Sequence, residues 1–396
     1  MRWSRALIGG VGLCMCYGLM ISEGRAAEWS AEPSLGIKGE YNSNLLLSSF
    51  PHDDVWGHWV SPGVKFAGST EALEVSGKVA ADFVRYYGGT ERSLTNLFFP
   101  LSVRYKADRE TFNLEGSFTR DNTLMGELRQ TGVVLSFTQR NLWNLSPSWT
   151  HALTERLSLQ AGYQYSNATY ENGLSLGLVN YTVQGGSGGL SYQLTELDEV
   201  RLTGSYTNFH APQANGLRSE IYGGQIALTH NVSESITALL SGGPKFVTST
   251  VDVTGSARTQ QTVWAFNGTL RKKWDDAAIQ LEVSREIYPS GFGLLLQTDR
   301  LGVSGSKNLT ERLTLSLGTY VLQASSVALQ AGAASFPENR YVNVSPHVTW
   351  KLSQWWALDL NYTYAHRNVE TVNQSAFANS ATVMLTYFPP KLTVGR

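Results

Sequence analysis

From Leu157 the chain alternates strictly: Leu157, Leu159, Ala161, Tyr163 and Tyr165 form one set, and Ser158, Gln160, Gly162, Gln164 and Ser166 the other. Successive side chains of a β-strand point to opposite faces, so this run predicts a strand with one apolar and one polar face. The pattern restarts after short polar clusters, with Val200, Leu202, Gly204 and Tyr206, then Ile236, Ala238 and Leu240, then Ile279, Leu281 and Val283. It returns with Leu313, Leu315 and Leu317, and with Trp356, Leu358, Leu360, Tyr362 and Tyr364. Earlier copies carry Leu73, Val75, Val79 and Phe83, and Phe112, Leu114 and Phe118. Two of the clusters are the same four letters, LTER, at 153–156 and 309–312, which predicts one hairpin-turn type closing one end of a sheet.

Each short cluster is preceded by a second alternating run, such as Leu101, Val103 and Tyr105, or Trp143, Leu145 and Trp149. Longer polar stretches at 45–55, 88–97, 121–131, 167–179, 209–218, 248–259, 289–295, 323–339 and 368–375 separate the hairpins. Nine long and eight short connections predict 18 strands, with 16 as the alternative count. A propeller blade repeats at a similar period but packs four short strands into it. Here each unit holds two strands of roughly ten residues, the span of a tilted transmembrane strand.

A soluble barrel turns its apolar face inward, which works for about eight strands because side chains fill the middle. Eighteen strands enclose more space than side chains can fill, so the apolar face is expected against lipid and the polar face around water. Closure also pairs every backbone donor and acceptor, as lipid requires. The expected fold is all-β: a transmembrane antiparallel up-and-down β-barrel, tight turns on the periplasmic side of a bacterial outer membrane. Aromatics near strand ends, Tyr163/Tyr165, Tyr362/Tyr364, Trp355/Trp356 and Phe388, suit interfacial anchors, with packing between two soluble sheets as the alternative.

The amino terminus fits a secretory signal over residues 1–27. Arg2 and Arg5 lead an apolar run from Ala6 to Ile21, and Gly24 and Ala26 flank a cleavage site. The run is short for a membrane anchor. Both cysteines, Cys14 and Cys16, lie inside it, so the mature chain is expected to carry no disulfide. Residues 28–388 then form the barrel and 389–396 a short C-terminal tail. Removing 1–27 takes away three Arg and one Glu, leaving 28 basic against 31 acidic residues, a balance that gives no sign of a nucleic-acid partner. With 18 Tyr, 11 Trp, 38 Gly and only 16% charged residues, the composition suits half-buried strands.

The stretch Leu35-Gly36-Ile37-Lys38-Gly39-Glu40-Tyr41-Asn42-Ser43-Asn44 resembles the first strand of the beta-barrel porin type 2 group, with its Tyr-Asx-Ser/Asp-Asn element near the mature N-terminus. The resemblance implies an outer-membrane barrel of the kind often associated with exopolysaccharide systems. Its motif covers about ten residues, its architecture the whole mature chain. The chain departs from the usual terminal aromatic: Pro389-Pro390-Lys391-Leu392-Thr393-Val394-Gly395-Arg396 follow Tyr387-Phe388, which bears on recognition by the barrel-assembly machinery.

Catalytic motifs do not emerge. The seven histidines are scattered, with no HExxH, GxSxG or P-loop, so neither an enzyme nor a cofactor is expected. His52, Asp53, Asp54 and His58 could face one ion, but the bland reading is a solvated loop, and no metal is assigned. Gly185-Gly186-Ser187-Gly188-Gly189 falls inside a strand, where glycines fit a bulge or kink better than a phosphate cradle.

Parity instead assigns a pore wall: Lys65, Lys78, Arg104, Lys106, Arg140, Arg201, Lys245 and Arg271 against Glu74, Asp82, Glu115, Glu282, Glu286 and Asp359. Such a mixed lumen suits polar solutes without sharp ion selectivity, and equally suits charges that brace neighbouring strands. Arg85, Arg285 and Lys307 break parity toward lipid near strand ends. Lipopolysaccharide phosphates are the expected partners of Arg85 and Arg285, with a local bulge turning them inward as the alternative. The longest connection, 323–339, is too short for a plug domain, and the few residues before the first strand leave no room for a hatch or passenger. The function expected is a porin-like channel for polar solutes, with saccharides or an exopolysaccharide implied by the resemblance. A non-transporting barrel acting as adhesin or scaffold is the alternative, and an outer-membrane hydrolase a third reading.

Overall fold

The computed structural model describes residues 28–89, 91–132, 134, 136–251, 257–327, 338–369 and 374–395. The signal segment, with Cys14 and Cys16, lies outside the described residues. The strands are β1 (Glu28–Asn42), β2 (Val55–Ser69), β3 (Leu73–Tyr87), β4 (Arg92–Lys106), β5 (Glu110–Asn122) and β6 (Gln139–Ala152). They continue with β7 (Leu157–Tyr170), β8 (Tyr181–Gln193), β9 (Asp198–Ala211), β10 (Leu217–Ser233), β11 (Ile236–Val251) and β12 (Ala257–Lys273). Then come β13 (Ala277–Pro289), β14 (Leu295–Asn308), β15 (Leu313–Ser326), β16 (Asn339–Lys351), β17 (Trp356–Val369), β18 (Gln374–Tyr387) and a short β19 (Leu392–Gly395).

Each of β1 to β18 pairs antiparallel with its sequence neighbours, and β1 pairs with both β2 and β18, so 18 strands close into a barrel. The seam runs from Leu35↔Tyr387 to Asn42↔Ser380. Within residues 389–396, Leu392–Gly395 resume pairing along Ala31–Glu28 and extend the line of β18. Pro389 and Pro390, which lack an N–H to donate, stand where that line is interrupted.

The repeated LTER is one turn made twice. Leu153 N–H donates to Leu157 O at 2.9 Å, and the Thr154 hydroxyl accepts from the N–H groups of Arg156 and Leu157 at 3.2 and 3.0 Å. Leu309, Thr310, Arg312 and Leu313 repeat this at 2.8, 3.2 and 3.0 Å. A side-chain oxygen thus satisfies the backbone donors of a tight turn. Gly185–Gly189 lie in β8, where the register with β7 and β9 is continuous, so of the expected bulge or kink the bulge is absent. The glycines permit close strand approach instead: a Cβ on Gly185 would stand 2.2 Å from Tyr206 O.

The apolar rows face outward. Ile37, Phe83, Trp143, Leu202, Leu240, Trp264 and Leu301 are exposed around the ring, and their intervening partners point into the barrel. Such a belt on a closed antiparallel cylinder places the protein in a bacterial outer membrane, because only lipid can cover it without leaving backbone groups unpaired.

The bounds of most connections differ from the sequence reading, as three of them show. The expected 88–97 stretch is mostly strand, since β4 begins at Arg92. The β15–β16 connection is 327–338, and the longest connection is β5–β6, residues 123–138. The polar run Arg92-Ser93-Leu94-Thr95-Asn96 reads as loop but is strand, because its inward residues meet protein rather than water. Asn96 is 1% exposed, and the Arg92 guanidinium donates to Phe137 O at 2.7 Å.

Candidate functional site

The inward rows change character along the barrel. On β7 they run Ser158, Gln160, Gly162, Gln164 and Ser166, then Ala168 and Tyr170; on β9 they run Arg201, Thr203, Ser205 and Thr207, then Phe209 and Ala211. The turn-side half is polar, whereas Ala168, Tyr170, Tyr181, Phe209, Val247 and Val263 near the loop ends are buried in an apolar cluster. Loop residues join that cluster, among them Leu178 and Val179 from 171–180, Ala214 from 212–216 and Phe292 from 290–294. These loops fold into the mouth and pack there, which removes apolar surface from water.

The β5–β6 loop reaches furthest. It leaves β5 through Asn122, whose side chain accepts from the N–H groups of Leu124 and Met125 at 3.1 and 3.2 Å, and forms helical turns over Leu124–Leu128 and Arg129–Thr131. At the near wall, Arg140 of β6 donates a two-pronged bond to Asp121 of β5, Nε to Oδ1 at 3.0 Å and Nη2 to Oδ2 at 2.7 Å. Glu127 of the loop accepts from the Tyr170 hydroxyl of β7 and from Gly291 N–H at 3.3 Å, with Arg140 Nη1 at 3.9 Å. Arg140, Asp121 and Glu127 are 4%, 5% and 1% exposed. At the far wall, Asn339 of β16 donates to Thr131 O at 3.0 Å, and the loop also touches β14 and β15.

Since β5 and β16 are far apart around the ring, the loop is a chord across the lumen. The sequence reading excluded a plug domain and left open whether a loop bends inward; the β5–β6 loop is no plug domain, but it crosses the lumen. Two glycines permit the fit. A Cβ on Gly126 would lie 2.3 Å from Arg140 Cζ. Gly132, at φ +73°, would place one 2.5 Å from Asn339 Nδ2.

Burial pushes the Glu127 carboxyl above its ordinary value of 4.5, against the opposing pull of the Tyr170 hydroxyl and of Arg140. The guanidinium charge is already matched by Asp121, so a second carboxylate would leave the dry site with an excess negative charge.

A polar recess of about 500 Å³ opens beside the chord, lined among others by Lys38 and Glu40 of β1, Arg129 of the loop, Arg300 of β14, Tyr320 of β15, and Asn343 and Thr363 opposite them. Arg300 lies over the Tyr320 ring at 4.1 Å. Leu47 of the β1–β2 loop (residues 43–54) packs on Tyr341, Ala365, Ala376 and Ala378, so a second loop also bends inward beside it.

The residues assigned to the wall by parity fall on the inward rows, and the register shows what each meets. Lys65 stands opposite Lys78, and Asp82 opposite Asn96. Glu74 stands opposite Arg104 and binds Lys106 at 2.8 Å; Glu115 accepts from Ser102 at 2.7 Å. Arg201 binds Glu199 at 2.9 Å, and Asp359 accepts from Thr349 at 2.7 Å and contacts His347 at 3.1 Å. Lys245 is opposite Val263, Arg271 opposite Gln280, Glu282 opposite Thr269 and Glu286 opposite Thr298. Arg140 shares the inward parity but is covered by the chord rather than open to the lumen.

Arg85, Arg285 and Lys307 lie on outer rows. Arg85 meets Glu91 at 3.4 Å, Lys307 meets Asp276 at 4.0 Å, and Arg285 grips Asp299 of β14 at 2.6 and 2.8 Å. The register through Arg285 is continuous, which removes the bulge alternative there. In the β1–β2 loop, His52 Nδ1 lies 2.9 Å from Phe50 O and Asp54 accepts from the Tyr41 hydroxyl at 2.8 Å.

Sequence reasoning missed Lys38, Arg300 and Arg367 on inward rows, and Arg120 on an outer row. Strand parity held the signal for each: Arg300, for instance, precedes Leu301 and Val303 of the outer row. Asp121 shares that parity, since it lies in β5 although the sequence reading put 121–131 in a connection, whereas Glu127 and Arg129 carried no such signal, because a loop has no period.

The fold and the wall define a transmembrane β-barrel whose lumen is crossed by its own loop. No family model and no curated protein matches the chain. Among solved structures, Pseudomonas aeruginosa OccK5 (OpdH) is similar over 92% of this chain and 98% of its own, at 12% identity and a TM-score of 0.43. Pseudomonas aeruginosa OccK7 (OpdD) is similar over 94% and 100%, at 11% identity and a TM-score of 0.45. For Acinetobacter baumannii OccAB4 the shares are 92% and 98%, at 10% identity and a TM-score of 0.46. These are likenesses of architecture alone.

Proposed function

We propose that the protein is an outer-membrane conduit for polar solutes, constricted by the β5–β6 chord. The observation that carries this reading is the closed 18-strand ring with polar inward rows on its turn-side half, since rings of this size enclose more volume than their side chains occupy. Lys65, Lys78, Asp82, Arg104, Lys106, Glu115, Arg201, Lys245, Arg271, Glu282 and Asp359 are the proposed wall. Its mixture of both signs favours polar over single-sign ionic solutes.

The solute class proposed is a saccharide or exopolysaccharide chain. Amide and hydroxyl groups of Asn343, Ser345, Asn361, Thr363, Ser380 and Thr382 line the recess beside Tyr320, a surface that supports exchange of hydrogen bonds with sugar hydroxyls. The resemblance of residues 35–44 to the porin type 2 group supports the same reading.

Reconstitution in planar bilayers tests it. Stable single-channel steps that neutral oligosaccharides reduce in a size-dependent way are the expected result. A correctly folded, heat-modifiable sample that gives no steps overturns the conduit and leaves the scaffold or adhesin.

A further inference from the structure

On the outer face, near the loop ends, one row crosses four strands. His210 of β9 lies opposite Arg218 of β10, Arg218 opposite Thr250 of β11, and Thr250 opposite Arg258 of β12. These residues share the outward parity of Tyr222, Phe246 and Trp264, which are 52%, 53% and 65% exposed farther down the same strands. Arg218 and Arg258 are themselves exposed.

Three other outward arginines near the loop ends have carboxylate partners: Arg85 with Glu91 at 3.4 Å, Arg120 with Glu171 at 3.3 Å and Arg285 with Asp299 at 2.6 Å. Neither Arg218 nor Arg258 has one among the described residues. Glu220, two residues along the same face from Arg218, meets the Tyr206 hydroxyl at 3.3 Å instead. Two guanidiniums without a counter-charge among the described residues therefore stand at the membrane rim, where a lipid-facing cation is unfavourable unless an anion meets it.

The two backbones are one strand apart on either side of Thr250, roughly 10 Å in all, so their long side chains can converge on one group. Guanidinium forks match phosphate oxygens, which a lone lysine ammonium does not. The loop end is the outer leaflet, because the tight turns face the periplasm, and the aromatic belt below offers a seat for acyl chains. We propose that His210, Arg218, Thr250 and Arg258 bind a phosphorylated lipid headgroup of the outer leaflet, the lipid A phosphates of lipopolysaccharide. The expected role of Arg85 and Arg285 thereby passes to a row whose charge is not already taken. This site rests on the membrane-facing rows and is independent of whether the lumen conducts.

The test uses the full mature chain folded in non-ionic detergent, with diphosphorylated and dephosphorylated lipid A as probes. Binding is read by titration and by the temperature at which gel mobility changes. Wild type is expected to prefer the phosphorylated lipid. Arg218→Gln and Arg258→Gln should each weaken its binding about tenfold, while Lys307→Gln on the opposite rim leaves it unchanged. Equal binding of the two lipids by wild type overturns the proposal without needing any variant to fold. An Arg218→Gln/Arg258→Gln double variant that folds and binds normally overturns it too. Displacement of the lipid by millimolar inorganic phosphate would mark a free-anion site and overturn the lipid assignment.

Discussion

Replacing Arg140 with Leu should release the chord while leaving the barrel closed. Arg140 supplies both bonds to Asp121, at 3.0 and 2.7 Å, and the nearest positive charge to Glu127, at 3.9 Å. Leucine would leave two carboxyl groups, 5% and 1% exposed, without a cation. Removing one partner of a buried pair costs about 3–5 kcal/mol, because the other charge stays desolvated. The latches that remain include the Asn339–Thr131 hydrogen bond on the far wall and the bonds of Glu127 with Tyr170 and Gly291, each stabilising by roughly 0.5–1.5 kcal/mol net. Three such bonds return about 1.5–4.5 kcal/mol against a cost of about 3–5 kcal/mol, so the balance shifts toward detachment, which rehydrates Asp121 and Glu127. The β5–β6 ladder continues from Asn122↔Gln139 to Glu110↔His151 without Arg140's side chain, so the barrel has no reason to open. Single-channel conductance should rise, and limited proteolysis should cut within residues 123–138 in the variant but not in wild type. The proteolysis does not depend on conduction. A folded variant with an uncut loop and unchanged conductance would refute the reasoning.

The same cluster predicts a pH response. The docked loop holds the Glu127 proton more tightly than a released loop would, so its contribution to docking is complete below the ordinary value of 4.5 and is lost as pH rises through the raised value. Loop cleavage and current noise should grow with rising pH, and Glu127→Gln should flatten that dependence; a profile identical in both proteins would remove Glu127 as its source. The facing assignment has its own check: Leu159→Arg puts a cation on the outer row at about 2–4 kcal/mol if near the midplane, whereas Gln160→Arg places it among polar neighbours. Assembly yield and heat-modifiable mobility should fall for the first and hold for the second, and equal tolerance would undo the assignment.

The period-two alternation of each strand was legible in the letters, and so were the turns, since Thr154 and Thr310 satisfy their own neighbours' donors. Strand number followed from counting, and the outward placement of Leu159 or Leu301 from the impossibility of filling so wide a ring. These are local features, or consequences of size. What only the tertiary structure decided is the interior near the mouth. Tyr170, Phe209 and Val263 occupy inward positions that parity assigns to water, yet they are covered by loops from distant parts of the chain. Glu127 meets Tyr170, Gly291 and Arg140, and Thr131 meets Asn339, across separations that no local pattern encodes. A strand's side-chain direction is set by its own backbone geometry, whereas a loop's course is set by whichever remote surface best satisfies its buried polar groups, and that surface exists only once the barrel has closed.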